Sequence, residues 1–116
     1  MEFEIESDDG SIMRVAVVGD LAPDRPENQP LREKLGDTVY GRRVTLNMEQ
    51  APFITSPGLG WLLTNEKLFR EAGGRCVLHS ISPAVLQVMR LMQLDRRLAI
   101  AADDAEAASK VMEGQA

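Results

Sequence analysis

The chain has one cysteine and one histidine in 116 residues. Cys76 alone excludes an intrachain disulfide, and Cys76 with His79 supplies no cluster at metal-ligand spacing. His79 stands at the end of a predicted strand with no second histidine to share acid–base work, so it reads as a structural or exposed residue and not as a catalyst. Cys76, in mid-strand, reads as a buried and inert thiol. No glycine-rich turn followed by a Lys-Ser or Lys-Thr pair is present, which excludes a phosphate loop; Gly73-Gly74 reads as a helix stop. Aromatics make up 4% of the chain, so the core is expected to be aliphatic. No apolar run is long enough to span a bilayer. The formal net charge of −5 argues against a nucleic-acid binder and against docking on anionic membrane. Met1–Gly10 is acidic and lacks the basic-then-apolar order of a signal peptide, so a cytoplasmic protein without a cofactor is expected.

What is present suits one domain over 1–116, with 44% hydrophobic residues to fill a core. Phe3 and Ile5 alternate with acidic residues, which predicts a half-buried strand over Glu2–Ser7. Asp8-Asp9-Gly10-Ser11 is a turn, and Ile12–Val18 is a second strand, rich in β-branched residues; together they predict an antiparallel hairpin. Ala22–Pro30 contains three prolines and reads as a loop. Leu31–Leu35 predicts a short helix ended by Gly36. Arg43–Met48 predicts a strand, and Phe53-Ile54 a short apolar approach to the helix that follows.

Over Pro57–Ala72 the pattern is helical, with Leu59, Leu62, Leu63, Leu68, Phe69 and Ala72 as the apolar face and Gly73-Gly74 as the stop. Arg75–His79 predicts a buried strand. Ser82 caps the next helix with Pro83 at its first position, and Val85, Leu86, Met89 and Met92 recur at helical spacing. Leu98–Ala101 predicts a last short strand. Asp103 or Asp104 then caps a final helix with Ala105, Ala108, Val111 and Met112 inward. Alternation after the hairpin implies parallel strands with right-handed crossovers. The expected fold is α/β, a mixed sheet of four to five strands with four helices.

One stretch, Thr55-Ser56-Pro57-Gly58-Leu59-Gly60-Trp61, carries the functional question. Ser56 before Pro57 reads as a helix N-cap. A serine there is also suited to phosphorylation, because a dianion would face free N–H groups at the positive end of the helix dipole. Gly58 and Gly60 cost about 1 kcal/mol each against alanine in a helix and leave the backbone of the first turn open to a partner. Trp61 has three readings: an interface residue, since tryptophan is enriched at binding hot spots; a core residue; or an incidental surface residue.

With these residues in view, the chain resembles the STAS domain family, the anti-anti-sigma factors (anti-sigma factor antagonists) and their relatives. The resemblance runs from the N-terminal hairpin to the last helix. It is most specific where a strand leads into Asp-Ser-Ser-Gly-Leu-Gly, a helix, Ala-Gly-Gly and an apolar strand. Here these stand as Thr55-Ser56-Pro57-Gly58-Leu59-Gly60, Glu71-Ala72-Gly73-Gly74-Arg75 and Cys76-Val77-Leu78. Ser82-Pro83-Ala84-Val85 and Leu91-Met92-Gln93-Leu94-Asp95 resemble the family's third-helix region.

The resemblance implies a regulatory binding module and not an enzyme. The unphosphorylated form binds a serine/threonine protein kinase of the histidine-kinase-like ATPase type that doubles as anti-sigma factor, and the sigma factor is released. The kinase phosphorylates the first serine of the motif, which falls on Ser56, and a phosphatase resets it. Together with the open first turn and the interface reading of Trp61, the expected partner-binding residues are Thr55, Ser56, Pro57, Gly58, Gly60 and Trp61. Two positions depart from the family pattern. Thr55 replaces the aspartate and lacks its charge, and Pro57 replaces the second serine and removes a backbone N–H beside the phosphate site. Two functions therefore compete: a phospho-switched antagonist, and a constitutive interaction subunit of a larger signalling assembly without a working switch.

Overall fold

β1 (Glu2–Asp8) and β2 (Ile12–Val18) pair as the predicted antiparallel hairpin. The turn is held by Asp9, whose carboxylate accepts from the Ser11 and Ile12 amides at 2.8 Å each, while Gly10 takes a φ of 87° that favours glycine. The computed structural model describes residues 1–23 and 30–113 of the chain. Most of the predicted Ala22–Pro30 loop, residues 24–29, lies outside them.

After the hairpin come α1 (Pro30–Leu35), a 3-10 turn (Val39–Gly41), β3 (Arg43–Asn47), α2 (Ser56–Ala72) and β4 (Arg75–His79). These are followed by α3 (Pro83–Leu91), a second 3-10 turn (Leu94–Arg96), β5 (Ala99–Ala101) and α4 (Asp104–Met112). The strands lie in the order β1-β2-β3-β4-β5, and β2 through β5 are parallel. This is the expected mixed sheet with helical crossovers.

Strand alternation sorts side chains onto two faces. Val15, Leu46 and Leu78 stand side by side in register across β2, β3 and β4. With Met13, Val17 and Val44 they form the larger core, which also takes in Leu31, Val39, Tyr40, Leu62, Phe69, Val85 and Met89. The opposite face is covered by α4, where Ala107 and Val111 pack on Ile12, Val77 and Ala101. Gly73 ends α2 with a φ of 83°. A Cβ on Gly74 would overlap the Tyr40 carbonyl oxygen and sit 2.5 Å from that of Arg42, so glycine there lets α2 turn tightly into β4.

Several expected inward positions differ. Ile5, expected to share the buried face with Phe3, is 53% exposed; it lies on the edge strand β1, next to the point where the β1–β2 pairing slips between Ile5 and Ser7. Met92 is exposed because α3 stops at Leu91 and Gln93 turns the chain with a φ of 59°. On α4, Ala105 and Met112 are exposed and Ala107 and Val111 are buried. The start at Asp103, whose side chain accepts from the Glu106 amide, sets that phase. On α2, Ala72 is exposed, and Trp61 and Asn65 join the buried face.

Candidate functional site

The opening of α2 sits just past the C-terminal end of β3, where open parallel sheets place their ligands. Its position is set by the segment leaving β2. Gly19 N–H donates to the Gln50 carbonyl and Leu21 N–H to the Phe53 carbonyl, each at 2.9 Å. Leu21 and Ile54 then form a parallel bridge beyond the named strands. Thr55 completes the clamp. Its N–H donates to the Leu21 carbonyl at 3.2 Å, and its hydroxyl donates to the same oxygen at 3.3 Å.

The same hydroxyl accepts from the Gly58 N–H at 3.1 Å, so Thr55 is the N-cap of α2. This corrects the expectation that Ser56 is the cap. Ser56 is the first residue of the helix and Pro57 the second. A serine cap would need its hydroxyl turned toward the helix amides, a place the threonine takes because the Leu21 carbonyl anchors it there. Thr55, Ser56 and Pro57 are all exposed.

The electrostatics of this corner follow from the cap. Of the first amides of α2, Pro57 has none, Gly58 is bonded to the Thr55 hydroxyl and Leu59 to the Thr55 carbonyl at 3.0 Å. Ser56 N–H is the one amide these bonds leave open to an added anion. The helix dipole still favours negative charge here.

Gly58 and Trp61 part from the expected partner surface. Gly58 is buried: an added Cβ would overlap the Leu21 carbonyl oxygen and come to 2.9 Å from Ile54 Cγ1. Its glycine is required by the clamp. Trp61 is 1% exposed, with its ring centroid 5.7 Å from that of Phe3. One turn into α2, its direction carries it under the hairpin, so Trp61 is a core residue and not a contact surface. Gly60 is half-buried.

The exposed aromatic of the corner is Phe53, 65% exposed and three positions before Ser56. In the sequence it belongs to the short apolar approach to the helix. Its signal was its place: an aromatic after Pro52 in a segment too short to pair as a strand. The start of α3 flanks this corner, since the Ser82 hydroxyl donates to the Pro52 carbonyl at 3.4 Å while accepting from the Val85 amide at 3.3 Å.

The chemistry-bearing residues elsewhere are built into the core. Cys76 is pushed up to about 12 by burial, against the opposing effect of the Asn65 amide at 3.7 Å from its sulfur. His79 is buried, its Nδ1 2.9 Å from the Ser80 hydroxyl and its Nε2 3.8 Å from Asp104. Burial lowers its pKa, and Asp104, Glu6 and Asp103 partly oppose that. Among the described residues no group of three His, Cys, Asp or Glu side chains is arranged to hold a metal. No helix there is long and apolar enough to cross a membrane.

Solved structures share this architecture. A Thermotoga maritima protein described as an anti-sigma factor antagonist matches with a TM-score of 0.74 at 21% identity, over 95% of this chain and 92% of that one. The anti-sigma factor antagonist SpoIIAA in its unphosphorylated form matches with a TM-score of 0.65 at 20% identity, over 97% and 99%. The phosphorylated form of SpoIIAA, a Bacillus cell fate determinant, matches with a TM-score of 0.63 at 22% identity, over 95% and 99%. At these identities the likeness is one of fold. A family model for the STAS domain matches residues 13–107, from the second hairpin strand into α4. The chain belongs to the STAS domain family.

Proposed function

We propose that residues 1–116 act as one STAS domain, a protein-binding module of the anti-sigma factor antagonist type that offers the Thr55-Ser56-Pro57 corner and Phe53 to its partner. The partner is an anti-sigma factor that is also a serine/threonine kinase of the histidine-kinase-like ATPase type. It phosphorylates Ser56, and a phosphatase reverses this. The module works in the cytoplasm without enzymatic activity, cofactor, nucleic acid or membrane.

The observation that carries this reading is the division of labour between neighbouring hydroxyls. Thr55 caps α2, so the exposed Ser56 hydroxyl is available without loss of the cap. A phosphate there adds about −1.5 to −2 charges. The fold tolerates the anion at a helix N-terminus, while a partner surface shaped around a neutral hydroxyl meets an uncompensated charge. The test is to incubate the protein with the cognate kinase and ATP, map the phosphate, and compare partner affinity of the stoichiometrically phosphorylated and unmodified forms. Phosphate on Ser56 and affinity weaker by at least about tenfold, near 1.4 kcal/mol, is the expected result. Equal affinity of the two forms overturns the switch.

One observation favours a constitutive module instead. Pro57 has no amide and Gly58 N–H is occupied by Thr55, so the helix start offers an added phosphate little direct hydrogen bonding. In that case partner binding through the same corner persists whatever the state of Ser56.

A further inference from the structure

β1 is an edge of the sheet, with β2 on one side and, among the described residues, no strand on the other. The main-chain N–H and C=O groups on the outer side of an edge strand are open to pairing with another chain. The side chains of β1 alternate. Phe3 and Ile5 stand opposite Val17 and Val15, on the face of the larger core, while Glu2 and Glu4 stand opposite Val18 and Ala16, on the other face. Ile5 is exposed although it points to the core face. A groove of about 460 Å³ lies beside the strand, lined by Met1–Glu4 and by Pro30, Glu33 and Lys34 on one face of α1, and by no residue of β2. Its acidic side chains are unengaged: among the described residues Glu2, Glu4 and Glu33 make no ion pair. At the other end of β1, Asp8 holds Arg42 and Glu6 accepts from the Asn47 amide at 3.4 Å.

We propose that the outer edge of β1 is a docking surface for an extended basic segment of a partner protein, which adds to the sheet as a further strand. Main-chain hydrogen bonds supply the pairing, and alternate side chains supply the choice of partner. Aliphatic side chains on one face of the segment cover Ile5 and enter the groove beside α1. Lys or Arg side chains on its other face meet Glu2 and Glu4 across the strands. A second copy of this chain is a poor occupant, because pairing β1 with β1 sets its glutamates against one another. The surface shares no residue with the Thr55-Ser56-Pro57 corner, so it stands whether or not Ser56 accepts phosphate.

The probe is a capped peptide as long as β1, seven residues, in which lysine alternates with valine. It is titrated into the isotope-labelled full chain and followed by the backbone amide NMR signals. Shifts should saturate over β1 and the facing side of α1, and outward amides of β1 should gain protection from hydrogen exchange. The same peptide with a central proline, which removes a main-chain donor, and one with glutamate in place of lysine should produce neither effect. Glu4→Lys should weaken binding about fivefold or more, by reversing a cross-strand pair, and Ile5→Ser should weaken it severalfold. Both positions are exposed, so the folded variants can be compared directly with the parent. The proposal is overturned if the shifts do not saturate or fall away from β1, or if the proline or glutamate peptide binds as well. It is also overturned if both variants bind as the parent does, or if β1 gains protection with protein concentration alone, which assigns the edge to a second copy.

Discussion

The Thr55 hydroxyl donates to the Leu21 carbonyl and accepts from the Gly58 amide, so one side chain ties the exit of β2 to the start of α2. The corner bearing Ser56 is therefore held by its neighbour. Thr55→Ala should lower unfolding stability by about 1–2 kcal/mol, the loss of a cap and a second hydrogen bond. Thr55→Ser should retain most of it. Ser56→Ala should change stability by less than about 0.5 kcal/mol, as at an ordinary surface position. Urea denaturation of the three variants separates the roles; a larger loss for Ser56→Ala than for Thr55→Ala would return the cap to Ser56.

Gly58→Ala should destabilise the protein by about 3 kcal/mol, at the upper end of overpacking costs, because the new methyl group meets backbone that is itself hydrogen-bonded. Thermal unfolding reads this directly. A variant with an unchanged midpoint would mean that the corner yields easily.

Trp61 and Phe53 should respond in opposite ways. Trp61→Ala removes a ring buried against Phe3 and should cost about 3–5 kcal/mol of stability. Phe53→Ala should leave stability within about 0.5 kcal/mol and weaken partner binding by about 2 kcal/mol, the usual mark of a hot spot. Calorimetry on the partner complex, beside denaturation of the free protein, distinguishes them.

The lowered pKa of His79 makes stability depend on pH. The folded form resists protonation more than the unfolded chain, so the unfolded state binds more protons as pH falls. Stability should be full above the ordinary histidine value near 6.5 and decline as pH drops below it. His79→Gln should flatten that decline between about pH 6.5 and 5. Asp8, held at about 2 chiefly by Arg42, acts in a separate and more acidic window, where stability is lost as pH falls below its ordinary 3.8. A His79→Gln profile with the parent's slope above pH 5 would show that the loss comes from carboxylates.

The sheet was legible because its signals are local. Ile12–Val18 and Arg75–His79 are β-branched or apolar runs with turn residues on either side, and the structure keeps both bounds. The start of α3 was equally plain, since Ser82 accepts from the amide three residues ahead; for α4 the sequence leaves Asp103 and Asp104 as candidates, and Asp103 is the cap. The cap of α2 was not legible. Thr55 and Ser56 are both competent caps, and the choice rests on the Leu21 carbonyl, 34 residues away in sequence. Which of its three readings Trp61 takes is hidden for a related reason: it is covered by Phe3 from the edge of the sheet, a contact that helical periodicity cannot reveal. Phe53 was missed because an apolar residue beside a strand looks inward until the bridge at Leu21 and Ile54 shows how the segment is turned.

The strands lie across the sheet in the same order as along the chain. A chain leaving the ribosome from its N-terminus therefore finds each new strand's neighbour already made. The hairpin closes first, and β3, β4 and β5 add in turn at a single growing edge. No central slot has to stay open for a late strand, so beside the fixed outer edge of β1 the nascent chain exposes one growing edge at a time.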